Sequence, residues 1–237
     1  DKGTNTGLIL RGNSVANSSD NSSEVFELGT VGASQSVTVV NNNVSVSGTS
    51  NDVFDIDLSD NSATVKFVSN DIDGDGQTAL ALDDIDEDGD NVRIKGNTIT
   101  NANTALDVTT DLKGATISSN TFNANDVQIA AGTISEYGAS TLVSDNTFNQ
   151  LAITTADDNG YQHALDNDNV KGNDLYGSIK DAQGTVGADG DTVFVAAGNY
   201  TESDFDITTN DQTLTSVSGP ESTTIKYTGT SDLIDVD

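Results

Sequence analysis

The chain has 237 residues, of which 38 are acidic and 9 are basic, and it contains no cysteine, methionine or tryptophan. Its net charge of −29 opposes binding to nucleic acid and to anionic membrane surfaces, because both require clusters of lysine and arginine. No run of 18 apolar residues is present, so membrane insertion is not expected, and the chain has no means of disulfide bonding or thiol chemistry.

The acidic residues are spread along the whole sequence, and most of them are aspartate. This composition is typical of halophilic proteins, in which self-repulsion destabilises the folded state until molar salt shortens the Debye length to roughly 3 Å. A disordered chain is the alternative, since only 34% of the residues are hydrophobic. Because the sequence starts at Asp1 without a signal-peptide pattern, we expect a processed mature protein or a piece of a longer one.

An internal repeat orders the hydrophobic residues and argues against disorder. Its marker is an asparagine followed two positions later by an apolar residue, and the marker recurs every 23 to 29 residues. An apolar pair precedes each asparagine by five and three positions, with Thr141 and Asp168 as the two exceptions. The marker asparagines are Asn13, Asn42, Asn70, Asn97, Asn120, Asn146 and Asn173.

The apolar residues alternate with a period of two, which predicts short strands with one buried face. Asparagine suits a tight bend, because it tolerates the left-handed conformation and its amide can bond to the asparagines above and below. Strands stacked at about 4.8 Å, in coils of about 27 residues, describe a parallel β-helix. No repeat contains a face with a period of 3.6, which excludes a helical solenoid.

The repeat breaks after Leu175, and residues 178–183 predict one short helix with Ser178 as N-cap and Asp181 as the acid of a capping box. From this helix onward the sequence resembles the opening of pectin-lyase-like right-handed β-helix proteins. In that family a capping helix leads through a GDTV-type strand and a G-x-Y turn into the first coils. The matching residues are Ile179, Ala182, Gly190-Asp191-Thr192-Val193, Gly198-Asn199-Tyr200 and Thr223-Thr224-Ile225. The resemblance implies an all-β, right-handed parallel β-helix, and its motifs concern the fold rather than catalysis.

The middle of the implied fold comes first in this chain and its opening comes last. We therefore expect coils with asparagine turns over 1–175, and a capping helix with opening coils over 176–237. An open β-helix end exposes apolar side chains and unpaired backbone groups. We expect Leu233, Ile234 and Val236 of one copy to stack on Leu8 and Leu10 of the next, between subunits or between tandem copies. A folded-back cap, or a fragment of a longer solenoid, is the alternative.

Two acidic loops begin with the D-x-D-x-D-G pattern of a calcium-binding loop, in which alternate side-chain oxygens converge on the ion. Both depart from that pattern, because position 12 is Leu82 in the first and Lys95 in the second, and no flanking helices are expected. Close carboxylates repel without a cation, so we predict Ca²⁺ here, with diffuse Na⁺ or K⁺ binding as the alternative. The predicted ligands are Asp71, Asp73, Asp75, Asp84, Asp86 and Asp88.

Four N-x-[ST] sequons are candidate glycosylation sites, at Asn17, Asn21, Asn43 and Asn199. In a chain rich in asparagine, serine and threonine many such matches arise by chance. Glycosylation would also require passage to the cell surface.

The sequence offers little for catalysis. His163 is the only histidine and lies in a polar stretch that predicts a loop. Arg11 and Arg93 are the only arginines, and their positions in the repeat place them about three coils apart on the outer surface. We therefore expect no enzyme, and no residue is assigned a catalytic role.

These features together favour a structural or adhesive extracellular protein, the repeating subunit of a head-to-tail β-helical filament or surface layer of a halophile. Its expected partners are further copies of itself, with surface glycans as a further partner. A polysaccharide-active lyase or glycoside hydrolase and a viral spike or fibre are the alternatives.

Overall fold

The computed structural model describes residues 7–17, 24–32, 35–48, 52–58, 63–83, 85, 91–112, 115–123, 125–134, 137–156, 159–187, 190–207 and 211–236. These residues form an all-β parallel β-solenoid of about 7 turns, with the turns about 26 residues apart and 3 short helices. The predicted fold class is therefore confirmed. Within the described residues, none of the helices is long and apolar enough to cross a membrane.

Two parallel sheets carry the strands on either side of each asparagine turn, with strands numbered in chain order. The first sheet contains β1 (Leu8–Arg11), β4 (Ser36–Val40), β7 (Thr64–Val68), β10 (Asn91–Lys95) and β13 (Ala115–Ser118). The second sheet contains β2 (Ser14–Asn17), β5 (Asn43–Val46), β8 (Asp71–Asp73), β11 (Thr98–Thr100), β14 (Thr121–Asn123) and β16 (Thr147–Phe148).

The third sheet closes each coil and runs on into the C-terminal part of the chain. Its parallel strands are β3 (Phe26–Val31), β6 (Asp52–Leu58), β9 (Thr78–Asp83), β12 (Thr104–Asp111) and β15 (Val127–Thr133). Beyond β15 the order continues with β18 (Leu175–Tyr176), β17 (Ala152–Thr155), β19 (Thr192–Val195) and β22 (Thr213–Ser216). The β15–β18, β18–β17 and β17–β19 pairings are antiparallel, so β19 runs opposite to β15.

Two further coils follow this reversal, and we call them the C-terminal coils. They consist of β19, β20 (Gly198–Glu202) and β21 (Phe205–Ile207), then β22, β23 (Thr223–Tyr227) and β24 (Ile234–Val236). Each strand of the first coil pairs in parallel with its counterpart in the second. We call residues 7–148 the N-terminal solenoid.

The helices are α1 (Ala139–Asp145), α2 (Tyr161–Asp166) and α3 (Ile179–Gly184), with a 3-10 turn at Lys171–Asn173. The prediction of α3 is confirmed, and the Ser178 hydroxyl accepts a bond from the Asp181 N–H at 3.2 Å. The predicted capping box is wrong, because it requires the Ser178 N–H to donate to the Asp181 side chain, and this N–H donates to the Asp126 carbonyl. The sixth coil also differs from the pattern, since α1 stands where Thr141 and Val143 were expected on a strand.

The asparagine turns form a hydrogen-bonded ladder along the N-terminal solenoid, as predicted. Each asparagine Nδ2 donates to the Oδ1 of the asparagine in the next coil at 2.9–3.0 Å, and its backbone N–H donates to the same oxygen. The ladder consists of Asn13, Asn42, Asn70, Asn97, Asn120 and Asn146, whereas the seventh marker, Asn173, lies in the 3-10 turn. It ends at Asn146, where Nδ2 donates to the Leu142 carbonyl of α1. The left-handed residue is the one before the asparagine, for example Asn41 with φ 55° and Ser69 with φ 56°, and not the ladder residue itself.

Alternate side chains of every coil pack into a continuous core. Phe26 and Phe54 stack with ring centroids 4.7 Å apart, and Phe122 and Phe148 stack at 5.0 Å. A second hydrophobic cluster fills the C-terminal coils and includes Tyr176, Ile179, Val193, Tyr200 and Phe205. Burial of these side chains is the main contribution to the stability of the fold.

Candidate functional site

The outer surface of the third sheet carries a row of carboxylates, which we call the acidic face. It comprises Glu27 on β3, Asp55 and Asp57 on β6, Asp83 on β9 and Asp107 on β12. These side chains point outward because they alternate with buried residues such as Phe54 and Ile56. Pairing aligns Glu27 with Asp55, and Asp57 with Asp83.

Three-residue carboxylate groups form at one end of this face. Oxygens of Glu24, Asp52 and Asp55 lie within 4.8 Å of one another, and so do those of Asp55, Asp57 and Asp83. Asp55 belongs to both groups, and its Oδ1 is buried without a hydrogen-bond partner among the described residues. Clustered carboxylate oxygens are ligands that hard cations such as Ca²⁺ prefer.

Burial and mutual repulsion disfavour ionisation on the acidic face. Burial raises the pKa of Asp55 to about 6, and the charges of Asp57, Asp52, Asp83 and Glu24 add to the increase. Burial likewise raises the pKa of Asp52 and of Asp107, and the charge of Asp83 contributes to both. Repulsion between these carboxylates therefore destabilises the acidic face, and bound protons, cations or a basic partner would reduce that repulsion.

Sequence reasoning missed this face, although a signal was present. The segment Asp52–Leu58 alternates aspartate with apolar residues, which places Asp55 and Asp57 on the surface of one strand. Aligning that strand with the following repeat would have placed Asp83 next to Asp57. The D-x-D-x-D-G pattern lies elsewhere in the sequence, at residues 71–76 and 84–89.

The predicted calcium ligands occupy a different part of the fold. Asp71 and Asp73 lie on β8 of the second sheet, and Asp75 lies in the following turn with φ 43°. Asp73 Oδ1 accepts a bond from Asn101 Nδ2 at 3.1 Å, and the three side chains belong to neither carboxylate group. Asp84, Asp86 and Asp88 lie outside the described residues, so calcium binding by both loops stays a prediction.

Three of the four sequons lie on strands. Asn43 on β5 and Asn199 on β20 are exposed, and Asn17 on β2 is half-buried. Asn21 lies outside the described residues. The positions of Asn43 and Asn199 leave room for a glycan on the outer surface.

The first and last turns expose apolar side chains. Leu8 is 40% and Ile9 64% exposed on β1, whereas Val217, Ile225 and Ile234 of the last coil are 42%, 37% and 37% exposed. Leu10 and Leu233 are half-buried, and the Val236 side chain lies outside the described residues. A cavity of about 140 Å³ opens beside the first turn and is lined by residues that include Leu8, Leu28, Val31 and Val37.

Residues considered for catalysis do not converge in the described part of the chain. His163 is exposed on α2, so the predicted loop is wrong there. Arg11 and Arg93 are exposed on β1 and β10, with β4 and β7 between them. A cleft of about 590 Å³ beside α3 is lined by Asp181 and Asp204, among others. Asp204 accepts bonds from the hydroxyls of Ser231 and Tyr227, which lower its pKa, so it is unsuited to act as a general acid.

Comparison of this chain with protein-family models, with curated proteins and with solved structures returned no match. The parallel β-solenoid is thus shown by the structure alone. Kinship with the pectin-lyase-like family stays a prediction.

Proposed function

We propose that this protein is a structural subunit of an extracellular filament or surface layer of a halophile, in which solenoids stack head to tail. The observation that carries the proposal is the position of the exposed large hydrophobic residues. Among the described residues, all five lie in the first turn or the last coil: Leu8, Val217, Ile225 and Ile234, with Ile9 on the outer side of the first turn. Apolar surface concentrated at two opposite places favours contacts with further copies.

Backbone pairing supports the same contact. In the third sheet β3 lies at one edge and β22 at the other, separated by seven strands. Each of these edge strands pairs on one side only among the described residues. Open strand edges present unpaired N–H and C=O groups that bind further strands. The two surfaces differ, so the contact is heterologous and extends into a filament.

The acidic surface of the protein suits an environment of high salt. The acidic surface would keep a filament hydrated and dispersed in brine, where short Debye lengths weaken self-repulsion. We place the protein at the cell surface, with Ca²⁺ on carboxylates and glycans at exposed sequons such as Asn43 and Asn199. We also propose a distant relation to pectin-lyase-like right-handed β-helix proteins, in which the fold serves assembly rather than catalysis.

Two end variants test the head-to-tail contact. Leu8→Asp places a charge on the first turn and Ile234→Asp places one on the last coil, and Ser45→Asp, at an exposed position on β5 of the second sheet, is a control with the same change in net charge. In molar NaCl, wild type and Ser45→Asp should form rods in electron micrographs, and each end variant alone should remain monomeric.

Mixing the two end variants gives a sharper result. Each retains one intact end, so an equimolar mixture should form dimers that grow no further in sedimentation velocity experiments. Wild-type protein that remains monomeric in molar salt would overturn the proposal. Dimers of one end variant alone would overturn the head-to-tail arrangement, because they require contact between identical ends.

A further inference from the structure

The outer surface of the first sheet is basic in an otherwise acidic molecule, and we call it the basic face. It carries Arg11 on β1, Lys66 on β7, and Arg93 and Lys95 on β10, which are four of the chain's 9 basic residues. None of the five strands of this sheet contains an aspartate or a glutamate. The other outward residues are neutral: Ile9, Ser36, Thr38, Val40, Thr64, Val68, Asn91, Thr116 and Ser118.

Strand pairing concentrates this charge. Arg93 is directly opposite Lys66 in the β10–β7 register, and Lys95 lies two residues farther along the same strand. Like charges in directly neighbouring positions destabilise a sheet. Within the described residues the four basic side chains take part in no ion pair, whereas Lys171 pairs with the buried Asp191. In the part of the chain that the structure describes, the positive charge of this face is therefore available.

The basic and acidic faces belong to the same coils. Both repeat at the strand spacing of about 4.8 Å, so rows of charge on the two faces have equal periods. Glu27, Asp55, Asp57, Asp83 and Asp107 extend over β3 to β12, and the basic residues extend over β1 to β10. The basic residues occupy β1, β7 and β10, and β4 and β13 carry none, so two parallel solenoids placed side by side would bring opposite charges together at some coils rather than at every coil.

We propose that the basic face of one copy binds the acidic face of a second copy, side by side. This contact neutralises the stacked Lys66 and Arg93 on one side and the crowded carboxylates around Asp55 on the other. It does not require end-to-end stacking, and it operates at about 0.2 M salt rather than in the molar salt that favours stacking.

The size of the basic face sets the strength of the contact. Five strands at about 4.8 Å and five residues at about 3.3 Å give a patch of roughly 400 Å². A stable interface buries about 800 Å² per partner, so a single pair of copies binds weakly. The contact also depends on ionic strength. Facing charges attract at about 0.2 M salt and are screened in molar salt, where apolar end-to-end stacking becomes stronger.

Carbodiimide cross-linking tests the lateral contact, because it joins lysine amines to carboxylates that touch. A mixture of isotope-labelled and unlabelled protein at about 0.2 M NaCl, with folding checked by circular dichroism, separates inter-copy from internal links. We expect inter-copy links from Lys66 and Lys95 to Glu27, Asp55, Asp57, Asp83 or Asp107, and a drop of at least tenfold at about 2 M NaCl. Inter-copy links that are absent, or that fall on other carboxylates equally, would overturn the proposal.

Matched variants separate this contact from the effect of total charge. Lys66→Gln/Arg93→Gln and Ser45→Glu/Thr121→Glu change the net charge by the same amount, but the second pair lies on the second sheet. The first pair should reduce inter-copy links at Lys95 at least tenfold, and the second should leave them unchanged. Equal loss in both would overturn the proposal.

A charge exchange provides the complementary test. Lys66→Glu/Arg93→Glu protein should not cross-link with itself, and should form links at Lys95 again when mixed with Glu27→Lys/Asp83→Lys protein, in which lysine replaces two of the five carboxylates of the acidic face. Failure to recover would overturn the proposal. The proposal would also be overturned if wild-type protein bound soluble polyuronate through Lys66 and Arg93 but formed no inter-copy links. The partner of the basic face would then be an acidic polysaccharide.

Discussion

The N-terminal solenoid and the C-terminal coils provide hydrogen-bond partners for their polar groups in different ways. In the solenoid, one repeated contact, the asparagine ladder, satisfies the polar groups of every bend. Among their described residues, the C-terminal coils have no such ladder and depend on individual hydrogen bonds and ion pairs. Asp191 pairs with Lys171, Glu202 accepts bonds from the N–H groups of Ile179 and Lys180, and Tyr200 bonds to Leu151.

The difference shows what repetition contributes to a small fold. A ladder residue is held by neighbours on both sides, so each added coil satisfies the one before it. Two coils cannot form such a stack, and their buried polar groups need partners from α3 and from the connecting segment. Four predictions, in order of decreasing effect, test this contrast.

Breaking the ladder in its middle should cost most. Asn97→Ala removes the acceptor for the Asn70 amide and the donor to Asn120, and both partners are buried. We expect a loss of about 3 kcal/mol in the free energy of unfolding, measured with denaturant. Asn103→Ala, at an exposed position in the same coil, should change stability by less than about 0.5 kcal/mol. Equal losses would show that the ladder does not hold the solenoid together.

Removing the Glu202 carboxylate at the start of α3 should destabilise the C-terminal coils. Glu202 is buried and caps α3 with bonds of 2.7 Å from the Ile179 N–H and 3.2 Å from the Lys180 N–H. Glu202→Ala should cost about 2 kcal/mol, and Glu202→Gln should cost less because it keeps one acceptor oxygen. Hydrogen exchange should increase at the Ile179 and Lys180 amides. Increased exchange at the ladder amides instead would contradict the separation of the two regions.

Relieving the acidic face should stabilise the N-terminal solenoid. The pKa of Asp55 is raised to about 6, so the native state binds a proton more readily than the unfolded chain. The stabilisation by this group is complete below about pH 4 and is lost as pH rises through about 6. A shift of this size would correspond to about 3 kcal/mol, but solvent screens a partly exposed group, and we expect about 1 kcal/mol.

Asp55→Asn should therefore raise stability by about 1 kcal/mol at pH 7 and have no effect below about pH 4. Thermal melts over this pH range would measure the change. Glu27→Gln, on the exposed first coil of the same face, is the control and should give a smaller gain. A destabilising Asp55→Asn would mean that the carboxylate has a partner, such as a bound cation, in solution.

The open end of the ladder should be the least sensitive position. Asn13 is exposed, and both its Nδ2 and its backbone N–H donate to Asn42 Oδ1. After substitution by alanine, the backbone N–H can still donate to that oxygen. Asn13→Ala should cost about 0.5 kcal/mol in dilute monomeric protein. A cost near that of Asn97→Ala under conditions that produce rods would indicate that a stacked copy buries this end.

Much of the fold could be predicted from the sequence, because coil-to-coil contacts repeat the same residue types at the same phase. The two exceptions in the apolar pattern, Thr141 and Asp168, lie where the structure has α1 and the chain between α2 and the 3-10 turn. They marked the end of regular coiling, but a missing apolar residue does not specify what replaces the strand. The acidic face required knowledge of which aspartates become neighbours, such as Asp57 and Asp83.

The sequence by itself determined the coil, since a period of two within strands and a recurring asparagine allow one stacking register that buries the apolar side chains. Tertiary structure alone decided the reversal at β17 and β18 and the separation of charge between the first and third sheets. Both depend on contacts between residues far apart in sequence, such as Leu151 with Tyr200 and Lys66 with Arg93. Local patterns constrain which face of a strand is buried, but not which distant strand lies beside it.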